Sequence, residues 1–332
     1  MSDAKNSKAR NVLAVDLGGT KCIAAVVDAK GRIISRRSVA VDLRSSSAPV
    51  RQIINLAKEL SPGKKVDKTF KSVAVAVPGL VRPDGTVWAP NLPGWKRMPL
   101  ARRLTLSLKI PVLVESDRNA AVLGECWRGA GQGKTDVVVL MIGTGIGAGI
   151  LSGGRILRGA HELSGCAGWL ATHHDRGHEA ISVGQLESLA AGPGIARMAR
   201  KRITAGEPSS LAQLDERAIT AREVADAARR GDPLARDIFN QAGGLLGLGI
   251  ANIISLIDPQ VVILGGGVGV VAHLYLNSLR AAVRERAQPL AARQVKISVS
   301  KLGDAANLLG CARLAWDHST QNLRRNTTRT LP

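Results

Sequence analysis

An apolar run, a glycine turn and a second apolar run occur twice in this chain, and that recurrence narrows its fold more than any other feature. Val137–Ile142 leads into Gly143-Thr-Gly-Ile-Gly-Ala-Gly149; the apolar character continues through Ile150-Leu151, Ser152-Gly-Gly154 turns, and Arg155-Ile-Leu157 follows. A dinucleotide fingerprint requires a helix behind its glycines. Here a strand follows instead, so the segment reads as strand, glycine turn, strand, hairpin. Such a turn exposes backbone N–H groups in a concave nest suited to phosphate oxygens. The same order opens the chain: Val12-Leu-Ala-Val-Asp-Leu-Gly-Gly-Thr-Lys21, then Cys22–Val27, then Ala29-Lys-Gly-Arg-Ile33. Both copies close on Gly-Arg-Ile. Two related halves are therefore expected, each offering a phosphate-binding turn to a shared cleft.

Between the copies, Ile110-Pro-Val-Leu-Val114 reads as a buried strand, short, apolar and bounded by turn formers. Asp117 falls just beyond it, before the helical composition of Arg118–Arg128. Ligands of open α/β sheets bind beyond the carboxyl ends of strands, so Asp117 is a candidate catalytic carboxylate. It is equally a candidate N-cap, satisfying the free N–H groups of the first helical turn. Asp16 lies on the first glycine turn, where a carboxylate beside phosphates commonly holds Mg²⁺, directly or through water.

The remaining segments follow in order. Ser47–Leu60 is an amphipathic helix, and Ser72–Val77 is a strand ending in Pro78-Gly79. Val81–Val87 is a hairpin turning on Asp84-Gly85, and Ala89–Trp95 is an irregular loop in which Asn91 is either a hydrogen-bonding partner for a polyol or an ordinary turn asparagine. Gln185–Arg202 and Ala221–Arg230 are helical, Leu234–Ile257 is a long buried helix, and Val261–Leu264 is a strand. That strand opens into Gly265-Gly-Gly-Val-Gly269 ahead of a helix at Leu274–Ala287; this third glycine turn can pass close under an adenine or a phosphate. His173, His174 and His178 fit no standard metal spacing and read as surface-loop residues. The polar, basic tail after Trp316 is expected to be disordered.

With 332 residues and 45 % hydrophobic content, the chain can bury two domain cores. No apolar run reaches the roughly 18 residues of a membrane span, and no signal peptide precedes Val12, so a cytoplasmic location is expected. Cys22, Cys126, Cys166 and Cys311 are scattered without CxxC spacing and read as free thiols. The excess of 46 basic over 26 acidic residues would attract polyanions. The charges are dispersed, however, and aromatics at 2 % leave few rings for base stacking. Specific nucleic-acid binding is not expected, and the segment before Val12 is too short for a helix-turn-helix.

Taken together, these residues resemble the ROK family (repressors, open reading frames and sugar kinases) of the actin-like ATPase superfamily. The resemblance runs from Asp16-Leu-Gly-Gly-Thr-Lys21 to Gly265-Gly-Gly267, with its most specific blocks at Val77-Pro-Gly79, Asn91-Leu-Pro-Gly-Trp95, Asp117-Arg-Asn-Ala-Ala121 and Gly143–Gly149. It implies an α/β fold of two RNase-H-like domains around a central cleft: residues 12–115, and a larger domain at 116–316 whose last helix can pack back on the first. Residues 1–11 and 317–332 would be tails. It further implies ATP and Mg²⁺, a hexose substrate and a homodimer. Asp117 matches the catalytic base and Asp16 the metal-associated carboxylate. Gly18, Gly19, Thr20, Lys21, Gly143, Thr144, Gly145, Gly265, Gly266 and Gly267 match the phosphate and adenosine loops; Gly79, Asn91, Ser116 and Glu187 fall with Asp117 in the sugar site.

The chain departs from the family pattern in that second site. Where the family carries Gly-Glu-x-Gly-His, this sequence reads Gly165-Cys-Ala-Gly-Trp169, placing Cys166 and Trp169 at two sugar-contacting positions. His178, Ala180 and Gln185 stand where three zinc-binding cysteines would be, so no structural zinc is expected. A shifted register would offer His161 or Glu162 to the sugar. The expected function is phosphoryl transfer from ATP to a hydroxyl of glucose or a related or N-acetylated sugar, with Asp117 as general base. The alternative is a catalytically impaired relative that binds nucleotide or sugar and regulates a partner.

Overall fold

In a computed structural model that describes residues 11–172 and 178–328, the apolar runs become the strands of two five-stranded sheets. The first unit comprises Met1–Gln132, Gly159–Leu163 and Asp304–Pro332; the second comprises Gly133–Arg158 and Ser164–Gly303. The expected boundary after residue 115 falls between a strand and a helix that both belong to the first unit.

In the first unit, β1 (Asn11–Leu17), β2 (Lys21–Val27) and β3 (Ile33–Ala40) form an antiparallel meander. Helices α1 (Ala48–Glu59) and α2 (Val66–Thr69) lead to β4 (Phe70–Val77), which pairs parallel to β1. The short hairpin of β5 (Leu80–Val81) and β6 (Val87–Trp88) turns on Asp84-Gly85; Gly85 has φ +76°, and the Asp84 carboxylate accepts the Thr86 N–H at 2.9 Å. Helix α3 (Leu100–Leu108) precedes β7 (Val112–Ser116), which pairs parallel to β4, and α4 (Asp117–Arg128) starts directly at its end. The sheet order is β3-β2-β1-β4-β7. Leu13, Val15, Val73 and Val75 point into one core with Ile53, Leu56 and Leu104 from the helices.

The second unit repeats the plan. Strands β8 (Val137–Ile142), β9 (Ile146–Ser152) and β10 (Arg155–Ile156) form the antiparallel meander. Then come α5 (His178–Val183), α6 (Gln185–Ala190), α7 (Gly192–Thr204), α8 (Ala221–Arg229) and α9 (Pro233–Ile257). Strand β11 (Val261–Gly265) pairs parallel to β8 and is followed by the single turn α10 (Gly266–Gly269), α11 (Leu276–Arg286), α12 (Pro289–Gln294) and β12 (Lys296–Val299), parallel to β11. The order β10-β9-β8-β11-β12 is that of the first sheet, so the sequence echo of Val12–Ile33 in Val137–Leu157 falls on equivalent strands. Although α9 is long and apolar enough to cross a membrane, Ile238, Leu246, Ile250 and Ile254 lie in this unit's core.

The last helix, α13 (Ala305–Thr328), belongs to the first unit and crosses α4 closely. A Cβ at Gly310 would sit 1.7 Å from the Ala120 carbonyl oxygen, and one at Gly124 would sit 2.0 Å from that of Ala306. Only glycine allows backbones this near.

Two sequence expectations need correcting. The helix expected over Gln185–Arg202 breaks at Ala191, because Pro193 starts a new helix and the Gly192 N–H leaves the helical ladder to donate to the Gly143 carbonyl at 2.8 Å. The disordered tail expected after Trp316 is entered by α13, which continues to Thr328.

Candidate active site

Strand registers fix where the polar groups gather. In the first sheet Asp16 pairs with Ala76, and Val77 with Ser116, so Asp16, Gly79 and Asp117 all lie at the carboxyl ends of neighbouring parallel strands. This is where open α/β sheets bind ligands.

The helix cap comes from the neighbour of Asp117. Ser116 has extended backbone and its Oγ accepts the Asn119 N–H at 3.4 Å, so Ser116 is the N-cap and Asp117 is the first helical residue. Behind them the buried Glu115 carboxylate accepts the Ser116 N–H at 2.9 Å and the Asn119 amide at 3.0 Å, which fixes this strand-to-helix corner. Burial raises the Asp117 pKa, and the Arg118 backbone N–H and guanidinium pull it back only in part. A carboxylate that takes up a proton more readily than usual is suited to accepting one.

Asp16 is shifted the same way. Burial, followed by the charges of Asp117 and Asp304, lifts it to about 6 against a hydrogen bond from Asn307 and the charge of Lys21. The Asn307 amide donates to Asp16 Oδ1 at 3.2 Å, while Asn307 Oδ1 is buried without a hydrogen-bond partner. A carboxylate and a partnerless amide oxygen are two hard oxygen acceptors, a donor set that fits a hydrated Mg²⁺. Among the described residues no group of three or more His, Cys, Asp and Glu is placed to hold a metal by itself.

Lys21, expected beside phosphate, pairs with Asp304 at 2.6 Å; both side chains are about half exposed. Thr20 is exposed, Gly18 and Gly19 form the turn, and the Gly18 N–H donates to the Lys21 carbonyl at 2.9 Å. Asn91 is exposed, and its Cβ lies 4.0 Å from where a Cβ on Gly19 would be. The segment Gly159–Leu163 also belongs to this unit: the Arg118 guanidinium donates to the Glu162 carbonyl at 3.3 Å, and Glu162 holds a left-handed φ of +59°. His161 is exposed beside it.

In the second unit the two remaining glycine turns come together. Met141 pairs with Gly265, so Gly143-Thr-Gly145 and Gly265-Gly-Gly267 sit at adjacent carboxyl ends. The Glu187 carboxylate accepts the Ile146 N–H at 2.7 Å and braces the first turn; burial raises its pKa and that N–H lowers it. A Cβ on Gly143 or Gly267 would meet nothing within 4 Å, and neither residue has left-handed φ. Nothing in the fold requires glycine there, and the bare backbone leaves open space above it. Both glycines line a cavity of about 830 Å³ with Thr144, Arg200, Arg222 and Phe239, a volume within the range of small-molecule sites.

Cys166 and Trp169 also lie in this unit. Cys166 is half-buried, and Trp169 is 58 % exposed at the end of a 3₁₀ turn. Of the positions read against the zinc motif, Gln185 accepts the Thr172 N–H at 2.6 Å; His178 opens α5, and His173 and His174 lie outside the described residues. All four cysteines are free.

Sequence reasoning missed Asn307 and Asp304, which reach the first turn from the far end of the chain, and the basic wall of the cavity. The wall had a signal: Arg222, Ala225, Asp226 and Arg229 follow the i, i+3, i+4, i+7 spacing of one helical face.

The architecture and these strand-end turns define a class, and comparison with known proteins agrees. The model of the ROK family matches residues 12–318. The chain belongs to the ROK family and has its α/β, actin-like ATPase fold. It is 30 % identical to a glucokinase of Halalkalibacterium halodurans over 89 % of this chain and 92 % of that one. A solved ROK family glucokinase from Streptomyces griseus, in complex with glucose and AMPPNP, is 33 % identical, with a TM-score of 0.80 over 92 % of this chain and 99 % of the other. A ROK family transcriptional regulator is similarly close in structure, at TM-score 0.83 and 27 % identity, covering 94 % of this chain and 79 % of the regulator.

Proposed function

We propose that this sugar kinase transfers the γ-phosphoryl group of ATP to a hydroxyl of glucose or a related hexose, with Asp117 as general base. The observation that carries the reading is the position of Asp117: at the carboxyl end of β7, relieved of capping by Ser116, with its pKa raised by burial. Asp117 accepts the hydroxyl proton as the sugar oxygen forms its bond to the γ-phosphorus; the bond from that phosphorus to the bridging oxygen breaks, and ADP leaves. General-base assistance of this kind contributes about 10²–10⁴ in rate. The backbone of Gly143-Thr-Gly145 and Gly265-Gly-Gly267 would hold the donor, and the cavity beside them would take its nucleoside. The remaining work is positioning and charge stabilisation, as is general for phosphoryl transfer. Asp16, held by Asn307, would bind hydrated Mg²⁺, which when present neutralises phosphate charge.

For the acceptor, Asn91 and Gly79 supply the strand-end rim of the first unit, and Ser116 and Asp117 its floor. Glu162, held beside α4 through its carbonyl, offers a carboxylate in the unit that contains Asp117. Within the second unit, Cys166 and the exposed Trp169 would offer an apolar surface suited to a sugar face, and Glu187 would act through the turn it braces. The glucose and AMPPNP bound by the S. griseus relative support both substrate classes.

The test is coupled ADP release from ATP·Mg²⁺ across hexoses, amino sugars and N-acetylated sugars. Turnover on one sugar is expected, falling at least a hundredfold in Asp117→Asn while sugar binding measured by calorimetry persists. An Asp117→Asn enzyme as fast as wild type would remove the base assignment. Nucleotide binding without turnover on any sugar would replace the kinase reading with a regulatory one.

A further inference from the structure

Asn307 stands in the first turn of α13, with its backbone fixed on both sides. Three residues before it, Asp304 pairs with Lys21 at 2.6 Å and with Arg36 at 3.4 Å. Three residues after it, Gly310 meets the Ala120 backbone at a distance that excludes any side chain. Such anchoring leaves the Asn307 side chain little freedom. Its amide N–H groups face the Asp16 carboxylate, because the reverse orientation would aim an oxygen at an oxygen. The amide oxygen is thereby turned into a buried place where no protein donor meets it. Buried polar atoms almost always find partners, and leaving one bare is costly. An asparagine kept only to hold Asp16 could be replaced by a donor without an acceptor; this one carries both.

We infer that Asn307 is a positioning residue for the divalent cation: its amide nitrogen orients Asp16, and its Oδ1 accepts a hydrogen bond from water in the hydration shell of Mg²⁺. The inference rests on the kinase reading above for the identity of the cation. Mg²⁺ keeps several of its waters when protein-bound, so a neutral amide oxygen beside one carboxylate is a suitable partner for its shell. Partners of this kind orient ligands, and their loss typically costs 10- to 100-fold in metal affinity.

The test uses Mn²⁺ as probe with the full chain and AMPPNP, the free-ion electron paramagnetic resonance signal reporting bound metal. Asn307→Leu, similar in volume and apolar, is expected to weaken Mn²⁺ binding about tenfold while glucose binding by calorimetry and the unfolding midpoint hold. Asn307→Ala also removes both the donor and the acceptor and is expected to weaken Mn²⁺ binding to a similar degree. Wild-type affinity in Asn307→Leu would overturn the inference. Should that variant not fold, wild-type Mn²⁺ affinity in Asn307→Ala would overturn it. A wild-type protein that binds Mn²⁺ with AMPPNP but phosphorylates no sugar would sink the kinase reading and leave the metal result to stand separately.

Discussion

The two units share one sheet plan, and one register position sets them apart chemically. Counting back from each glycine turn, Asp16 of β1 and Met141 of β8 are equivalent: each is second from the end of its strand, opposite Ile23 and Gly147 respectively. In the first unit that position carries a carboxylate, backed by Asn307 and near enough to Asp117 for their charges to interact. In the second it carries a thioether that would touch any side chain at Gly265, and the turn beyond it is bare backbone braced by Glu187. A duplicated scaffold thus supplies two strand-end platforms, one given side-chain charge and one stripped to peptide N–H groups. On the proposed reading the first would serve proton and cation chemistry and the second would cradle phosphate.

If glycine serves the fold in one place and a ligand in another, substitutions should separate the two roles. The largest effect belongs to Gly310. Its added methyl would sit 1.7 Å from the Ala120 carbonyl oxygen, so α4 and α13 must move apart. Gly310→Ala is expected to destabilise by about 3 kcal/mol, the upper part of the usual range for overpacking, seen as a lowered midpoint in urea. Unchanged stability would mean that the helix crossing adjusts freely and contributes no rigidity to Asn307.

Next comes the carboxylate that only one half possesses. The Asp16 pKa is raised from 3.8 to about 6, so the folded state holds its proton more tightly than the unfolded chain does. That contribution to stability is fully present below pH 4 and is lost as pH rises through 6. Without metal, Asp16→Asn should therefore be more stable than wild type at pH 7.5 by no more than about 3 kcal/mol, with the advantage vanishing below pH 4. An advantage that persists at pH 3.5 would assign the effect to packing instead of charge.

Much of this contrast was legible in the sequence, and the illegible part has a common cause. Val137–Ile142, the glycine turns and the long apolar Pro233–Ile257 announce themselves because periodicity and glycine punctuation are local signals. Asp117 stands out in the sequence because it follows a strand, and the Ser116-to-Asn119 spacing that assigns the cap to Ser116 is also on view. Asn307 and Asp304 were not found: they meet Asp16 and Lys21 across 291 and 283 residues, and only the fold brings them there. The break before Gly192 escaped for the same reason, since its N–H is satisfied by the Gly143 carbonyl, not by its own helix.

The smallest effect is the most discriminating for the second unit. A methyl group on Gly143 meets no atom within 4 Å, and its backbone needs no left-handed conformation. Alanine there should leave the fold alone, so Gly143→Ala is expected to unfold at the wild-type temperature. If phosphate oxygens press against this backbone, the same methyl group must push them away. The KM for ATP should then rise about tenfold, equivalent to about 1.4 kcal/mol, with the KM for sugar unmoved. The matching change in the first half, Gly18→Ala, meets the Lys21 carbonyl oxygen at 3.2 Å, so its effects on fold and ligand cannot be separated as cleanly. Gly143 is therefore where the division of labour between the halves is best tested: an ATP dependence identical to wild type would show that the second turn cradles no phosphate.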